Sequence, residues 1–437
     1  MKKTYIQSLC FLVFLLFISL SAFSQDDPYH RFINNGIKLS RMQQYNAAIK
    51  EFELALAISD TSAQVFYYKG LGYFSMRDAK NAIVAFEEAL VRDPKHIDAL
   101  SKLLTCYKKN RDLENTIKTF DRMFAAVDDP KKKVMAKLSS IRLLSAEDKY
   151  DSALLYVNHA LEVDPKHVEL LYYKGKLLNL EGKYEEAKTN IDAAIMEFEG
   201  RDIKMQTQLN YELGYALHKL GKYKESSVAF RNANYGPYKS KVALFSPSYY
   251  HLVAVAHNNI LDYDRALELV TIAVAMDSTF EQAILLKEKV EKSMTDRSKE
   301  VEAYKRVLNK DMDELRRYDL YKTSITALIG SKKYRDAVVL ADSCIARYKE
   351  KQEPYFLKSI ALYKNNFKED AITLLNNLLK EETNTREDIG KYNFQLGLIH
   401  LYQKEMKKAE DFFDKVIKGG SKYARAALFE KNLISGQ

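Results

Sequence analysis

Along most of the chain, apolar positions recur at three- and four-residue spacing, in short runs separated by polar, turn-like breaks. One block carries the pattern on Phe66, Gly70, Tyr73, Ala82, Phe86 and Ala89, with Lys69 as its polar exception and Pro94 at its close. Such spacing places side chains on one helical face, so each block predicts two amphipathic helices joined by a turn. The turns fall at Arg77-Asp78, Glu181-Gly182-Lys183 and Leu220-Gly221-Lys222, among others.

The blocks repeat. Residues 93–100 (DPKHIDAL) and 164–171 (DPKHVELL) are near copies, 71 positions apart. A small residue follows each turn: Ala48, Ala82, Thr116, Ala153, Ala187, Ser226, Ala266, Ala337, Ala371 and Ala409. The steps between them are 34, 34, 37, 34, 39, 40, 71, 34 and 38, and the step of 71 hides one further unit. Apolar or small residues stand 16, 13, 12 and 9 places before the small residue, and 4 and 7 places after it.

At these residues the chain resembles the tetratricopeptide repeat (TPR) family, whose pattern is W-x2-L-G-x2-Y, then A-x3-F-x2-A, then P. The chain has no Trp; Phe32, Phe66, Leu100, Leu171, Tyr250, Tyr321 and Tyr355 fill its place. Ile141 and Ile325 replace the glycine of the first helix. The resemblance implies an all-α fold, an α-solenoid superhelix of about ten TPR-like helix-turn-helix repeats. A C-terminal capping helix is expected at residues 424–433, with Arg425, Glu430, Lys431 and Asn432 on its polar outer face.

Two stretches break the rhythm. Residues 234–248 contain Gly236, Pro237 and Pro247 and read as a longer inter-repeat loop. Residues 281–317 are highly charged, and the frame puts Glu288 at the glycine site and Glu300 at the small-residue site. A carboxylate is costly to pack there. The expected organisation is therefore a signal peptide at 1–24, an N-terminal array of about seven repeats at 25–280, a degenerate helical repeat at 281–317 that could serve as a joint, and about three repeats plus the cap at 318–437.

Composition adds the compartment. Lys2 and Lys3 precede an apolar run at 9–20, and Ala22-Phe23-Ser24 offers small residues for cleavage before Gln25. That is the pattern of a secretory signal, and its core is shorter than the ~20 residues of a membrane span. The expected product is exported, periplasmic or secreted, and does not span a membrane after cleavage. The 3 cysteines cannot supply a disulfide framework. The seven prolines, Pro28, Pro94, Pro130, Pro165, Pro237, Pro247 and Pro354, all fall at repeat edges or first turns.

Catalytic and cofactor signatures are missing. Gly70-Leu71-Gly72 lies inside a helix and has Ser75 at the third glycine place, so it reads as packing rather than nucleotide binding. His96 and His167 sit at equivalent places two units apart, and His257 and His400 occupy a buried aromatic site as hydrogen-bonded core residues. His218 and His251 could face one another, but two imidazoles fall short of a metal ligand set. The net charge of +9 is spread over helix surfaces mixed with acids, which argues against nucleic acid. Neither enzyme activity nor a cofactor or metal is expected.

What is left is the face beside the buried stripe of each first helix, which in TPR proteins lines the concave groove that holds a partner segment. On that resemblance the candidate groove residues are Tyr67, Leu71, Phe74, Tyr172, Lys176, Tyr211, Tyr215, His218, His251, Asn258, Phe356, Tyr363 and Phe394. Tyr suits an interface because it buries area while keeping a polar tip. The Lys-then-Asn pair by which some TPR modules grip a chaperone's C-terminal carboxylate is absent: Lys322 is followed by Thr326. The expected function is a non-catalytic protein-interaction scaffold of a bacterial-type envelope, with another protein as partner. The rival is an envelope carbohydrate-binding module that stacks sugars on the groove aromatics.

Overall fold

The computed structural model describes residues 27–308 and 310–435, so the expected export signal lies outside the described residues. Every regular element among them is a helix. They divide into two compact units, with the boundary between Glu199 and Gly200.

In the first unit ten helices form five hairpins. These are α1 (Pro28–Arg41) with α2 (Tyr45–Ile58), α3 (Ala63–Ser75) with α4 (Ala79–Arg92), α5 (Ile97–Lys109) with α6 (Leu113–Ala126), α7 (Pro130–Ala146) with α8 (Tyr150–Val163), and α9 (Val168–Leu180) with α10 (Tyr184–Glu197). The second unit opens with α11 (Ile203–Lys219) and α12 (Tyr223–Asn232), then a short α13 (Tyr238–Ala243). After it come α14 (Pro247–Asn259), α15 (Tyr263–Met276), α16 (Glu281–Ser293), α17 (Ser298–Leu308), α18 (Glu314–Gly330) and α19 (Tyr334–Arg347). The chain ends with α20 (Gln352–Lys364), α21 (Lys368–Leu378), α22 (Arg386–Tyr402), α23 (Met406–Gly419) and α24 (Ala424–Ser435). The stretch at 234–248 is thus not all loop, because α13 forms inside it.

Each hairpin turns through one left-handed residue, five places before the small residue. Gln43, Arg77, Arg111, Asp148, Gly182, Gly221, Leu261, Lys332, Asn366 and Lys404 occupy it, with φ from +55° to +78°. A single left-handed residue ends the first helix and redirects the chain antiparallel. The packing that follows is equally regular. A Cβ on Gly36, Gly70, Gly175, Gly214 or Gly397 would lie 2.3–2.8 Å from Phe52, Phe86, Ile191, Phe230 or Phe413, the residue four after the small one. The missing side chain lets the partner ring or branched chain seat against the helix backbone.

The 281–317 segment departs from the frame as its carboxylates require. Thr295, at the turn place, is not left-handed, and α16 and α17 do not pack together as a hairpin. Glu288 points to solvent. Glu300 is held by Arg297 Nε at 2.6 Å and by the Tyr304 hydroxyl. Ala283, Leu286 and Val290 of α16 and Val301 and Leu308 of α17 are buried instead.

Core organisation separates the units. In the first, the core is a chain of local clusters, such as Ala82, Phe86, Leu90, Leu100 and Leu103, or Val134, Ile141, Val157 and Leu177. In the second, Phe230, Ala233 and Val242 form a small cluster of their own, and one large cluster runs from Tyr249 to Ala427. The difference arises because α24 packs on α23 and also on α14, which begins four hairpins earlier. Residues 247–435 therefore close on themselves.

Candidate partner-binding faces

In the first unit the expected groove face is partly exposed on α3 and closed at Tyr172 of α9. Only Val65, Gly70 and Gly72 of α3 are buried, and Tyr67, Leu71 and Phe74 are half-buried. Tyr67 rests on the His96 and Phe86 rings at 4.9 and 5.9 Å. Burial, and then the nearby Asp98 carboxylate, push its hydroxyl pKa up. Phe74 lies beneath two ammonium groups of α5, Lys102 at 5.5 Å and Lys109 at 5.0 Å from the ring centre. Lys176 on α9 is also half-buried. Tyr172 departs from expectation: it is 3% exposed, with the Tyr173 ring 5.2 Å away, and presents no surface to a partner.

Tyr211, Tyr215 and His218 of α11 are covered by the chain itself. Tyr238 of α13 lies 4.9 Å from Tyr211, and Phe245 lies 6.0 Å from Tyr215 and 5.2 Å from His218. The His218 Nε2 is 2.7 Å from the Tyr250 hydroxyl, and burial brings its pKa down to about 4. His251 does not meet His218; its ring packs at 5.3 Å from Phe280, and burial lowers its pKa. No group of three or more His, Cys, Asp or Glu that could hold a metal occurs among the described residues.

Beyond α14 the expected groove is filled. Phe356 and Phe394 are 1% and 0% exposed and Asn258 is 9% exposed. Phe394 packs edge-on to His257 at 5.3 Å and lies 5.8 Å from Tyr423. As placed, these three residues belong to the core; Phe356 of α20 lies against the Tyr392 ring of α22 at 5.5 Å with the Lys391 ammonium 4.4 Å from its ring centre. Ten residues of α22 are buried, on every side of the helix. Tyr363 stays half-buried, its hydroxyl pushed up to about 12 by burial.

An ionic cluster lies where the second unit closes. His257 is fully buried, with Nδ1 3.1 Å from Asp262 and Nε2 3.2 Å from Glu430. Glu430, expected on the outer face of the cap, is 3% exposed and also lies 3.3 Å from Arg265. It turns inward because α24 has a second packing surface, on α14. Lys364 donates to Asp262 at 2.9 Å. Around this cluster Phe429 packs 6.0 and 5.6 Å from Tyr249 and Tyr250. Burial opposes charge on His257, but the hydrogen bond to Asp262 and the nearby Glu430 carboxylate outweigh it and raise the pKa. His400, the other expected core histidine, is buried with Nδ1 2.6 Å from Glu405. Cys106 and Cys344 are buried free thiols.

Comparison with known proteins agrees with this repeat geometry. Tetratricopeptide repeat models match residues 156–189, 207–235 and 356–424, and the Fis1 C-terminal tetratricopeptide repeat matches 248–297. A TPR repeat-containing protein of Methanocaldococcus jannaschii is 26% identical over 281 residues, 62% of this chain and 47% of that protein. A serine/threonine-protein phosphatase T of Trypanosoma brucei brucei is 30% identical over 92 residues, 21% of this chain and 20% of its own. The chain thus spans about half the first relative and a fifth of the second. Among solved structures, the Naa15/Naa10 complex bound to HypK-THB contains a chain with 13% identity and a TM-score of 0.39, covering 93% of this chain and 67% of that one. With ten left-handed turns in frame, the small-residue packing repeated behind them and family models matching in both units, the chain is a tetratricopeptide-repeat protein.

Proposed function

We propose that this protein is a non-catalytic interaction scaffold of the bacterial cell envelope that holds a segment of a partner protein on the first-helix face of its first unit. The observation carrying this reading is the open row Tyr67, Leu71 and Phe74, beside Lys102 and Lys109. In the second unit the row on α11 is covered by Tyr238 and Phe245, and Phe356 and Phe394 are core, so those rows offer a partner less surface. Aromatic residues that are partly exposed on a rigid element bind at little conformational cost, which suits them to anchor a partner. Sugar stacking fits less well, because Tyr211 and Tyr215 carry other rings against them.

Capture from envelope extract with the wild-type protein and with a Leu71→Asp/Phe74→Ala variant tests the reading. One recurrent protein retained by the wild type and lost from the variant supports it. Retention on glycan without protein favours the carbohydrate module. The export step is tested by N-terminal sequencing of the native protein, which should begin at Gln25 in a periplasmic or secreted fraction. Recovery of Met1 on membrane-bound protein would overturn export.

A further inference from the structure

The chain's positive charge is not evenly shared. Residues 27–199 hold 26 basic and 26 acidic side chains. Residues 201–246 hold eight basic (Arg201, Lys204, Lys219, Lys222, Lys224, Arg231, Lys239, Lys241) against three acidic (Asp202, Glu212, Glu225). That segment is α11, α12 and the α13 insertion, and it encloses a cleft of about 300 Å³ between α12, α13 and the start of α14. The floor is apolar: Phe230, Val242 and Phe245, with Phe230 and Phe245 stacked at 4.6 Å. Two cations stand at the rim, Arg231 from α12 and Lys239 from the first turn of α13, and no carboxylate lines the cleft. Both are exposed. Asp277 feels the Arg231 charge, but its carboxylate already accepts from the Thr279 amide and hydroxyl at 2.9 and 2.7 Å.

We infer that this cleft is a second docking site, taking an acidic peptide segment that inserts one apolar side chain between flanking carboxylates. The volume is at the lower limit for ligand pockets, which fits a single large side chain rather than a whole small molecule. The two cations come from different elements on the rim, so carboxylates on either side of the inserted residue meet opposite charge while the apolar floor takes the side chain. The local excess of charge would steer such a segment toward the site. A nucleic acid strand suits it less: two cations flank a single apolar recess, whereas a strand is held along a basic groove with an aromatic platform for each successive base.

The test uses the full-length protein and a labelled peptide in which one Phe is flanked on both sides by Glu, with Glu→Gln and Glu→Lys versions and a thymidine oligonucleotide as competitors. The acidic peptide should bind about tenfold or more tighter than the Gln version, and more weakly as salt rises. Arg231→Glu/Lys239→Glu should abolish that preference, whereas the conservative Lys239→Arg and the distant charge reversal Lys50→Glu should leave it unchanged. Equal binding of the Gln peptide, or equal loss with Lys50→Glu, would overturn the site. So would retention of the oligonucleotide alone. Leu71→Asp/Phe74→Ala should not affect this peptide, so failure here and failure of the first-unit reading register in different variants.

Discussion

At the hairpin turns, eight of the ten left-handed positions are filled by residues other than glycine, Leu261 among them. A side chain there costs roughly 1–2 kcal/mol, partly offset because glycine loses more freedom on folding. Leu261→Gly should therefore leave stability unchanged or raise it by up to about 1 kcal/mol, while Gly182→Ala should lower it by about 1 kcal/mol. Denaturant melts of the two variants decide this; a destabilised Leu261→Gly would show that the side chain's packing outweighs its strain. The seat at Gly70 should be less forgiving. An added Cβ would lie 2.6 Å from the Phe86 ring, so Gly70→Ala should cost about 1–3 kcal/mol. Phe86→Leu in the same chain should recover part of it, a coupling that a double-mutant cycle measures. Tyr172→Ala should cost about 3 kcal/mol as a buried aromatic, and the half-buried Tyr67→Ala clearly less. Equal losses in thermal melts would place Tyr67 in the core and remove it from the proposed binding face.

At the scale of the element, α24 is held by an ionic clasp as well as by apolar packing. His257 has a raised pKa, so its contribution is full below the unfolded value near 6.5 and is lost as pH rises through the folded value. Asp262 is displaced downward; burial opposes this, but the hydrogen bond from His257 and the Lys364 charge prevail. Its contribution is present above the unfolded value near 3.9 and is lost as pH falls through the folded one. The clasp should thus be tightest between about pH 4 and pH 6.5 and loosen above that range. Amide exchange in Ala424–Ser435, corrected for the intrinsic pH dependence, should accelerate on the alkaline side before α23 responds. Glu430→Ala leaves Arg265 and His257 without that carboxylate and should cost about 3–5 kcal/mol, as when a buried pair loses one member. Unchanged exchange in Glu430→Ala would mean that Phe429 and the alanines of α24 hold the helix unaided.

Across the whole molecule, the two units should not unfold as one. Stability in a helical repeat array is a sum of repeat and neighbour contributions, so units with differently built cores need not share one transition. The division at Glu199 and Gly200 predicts two transitions in denaturant, followed by exchange at segment resolution. The closed part of the second unit, residues 247–435, should be the most cooperative region, since its core is continuous from Tyr249 to Ala427. Within it, α17 buries only Val301 and Leu308. Its amides should exchange faster than those of α3, making 281–317 a site of local opening. A single coincident transition, or α17 protected as well as α3, would count against this division of stability.

Periodicity alone determined the helices, their pairing into hairpins and the residues that seat one helix on the next, because those contacts lie within some forty residues and recur. Gly70 against Phe86 and Ala82 at the turn are legible for that reason. The same frame does not decide exposure: Tyr67, Leu71 and Phe74 are half-buried, whereas Tyr172, at the place equivalent to Tyr67, is 3% exposed. What the repeat could not encode is which faces the rest of the chain covers. Glu430 reads as a surface residue of a terminal helix, yet it meets His257 from 173 positions earlier in the sequence. Phe356 and Phe394 read as groove residues, yet they are core. The α13 insertion reads as loop, yet its rings cover Tyr211 and its rim carries Lys239. Those outcomes rest on contacts between distant segments, where helical phase specifies a face but not its partner, so only the tertiary structure decided them.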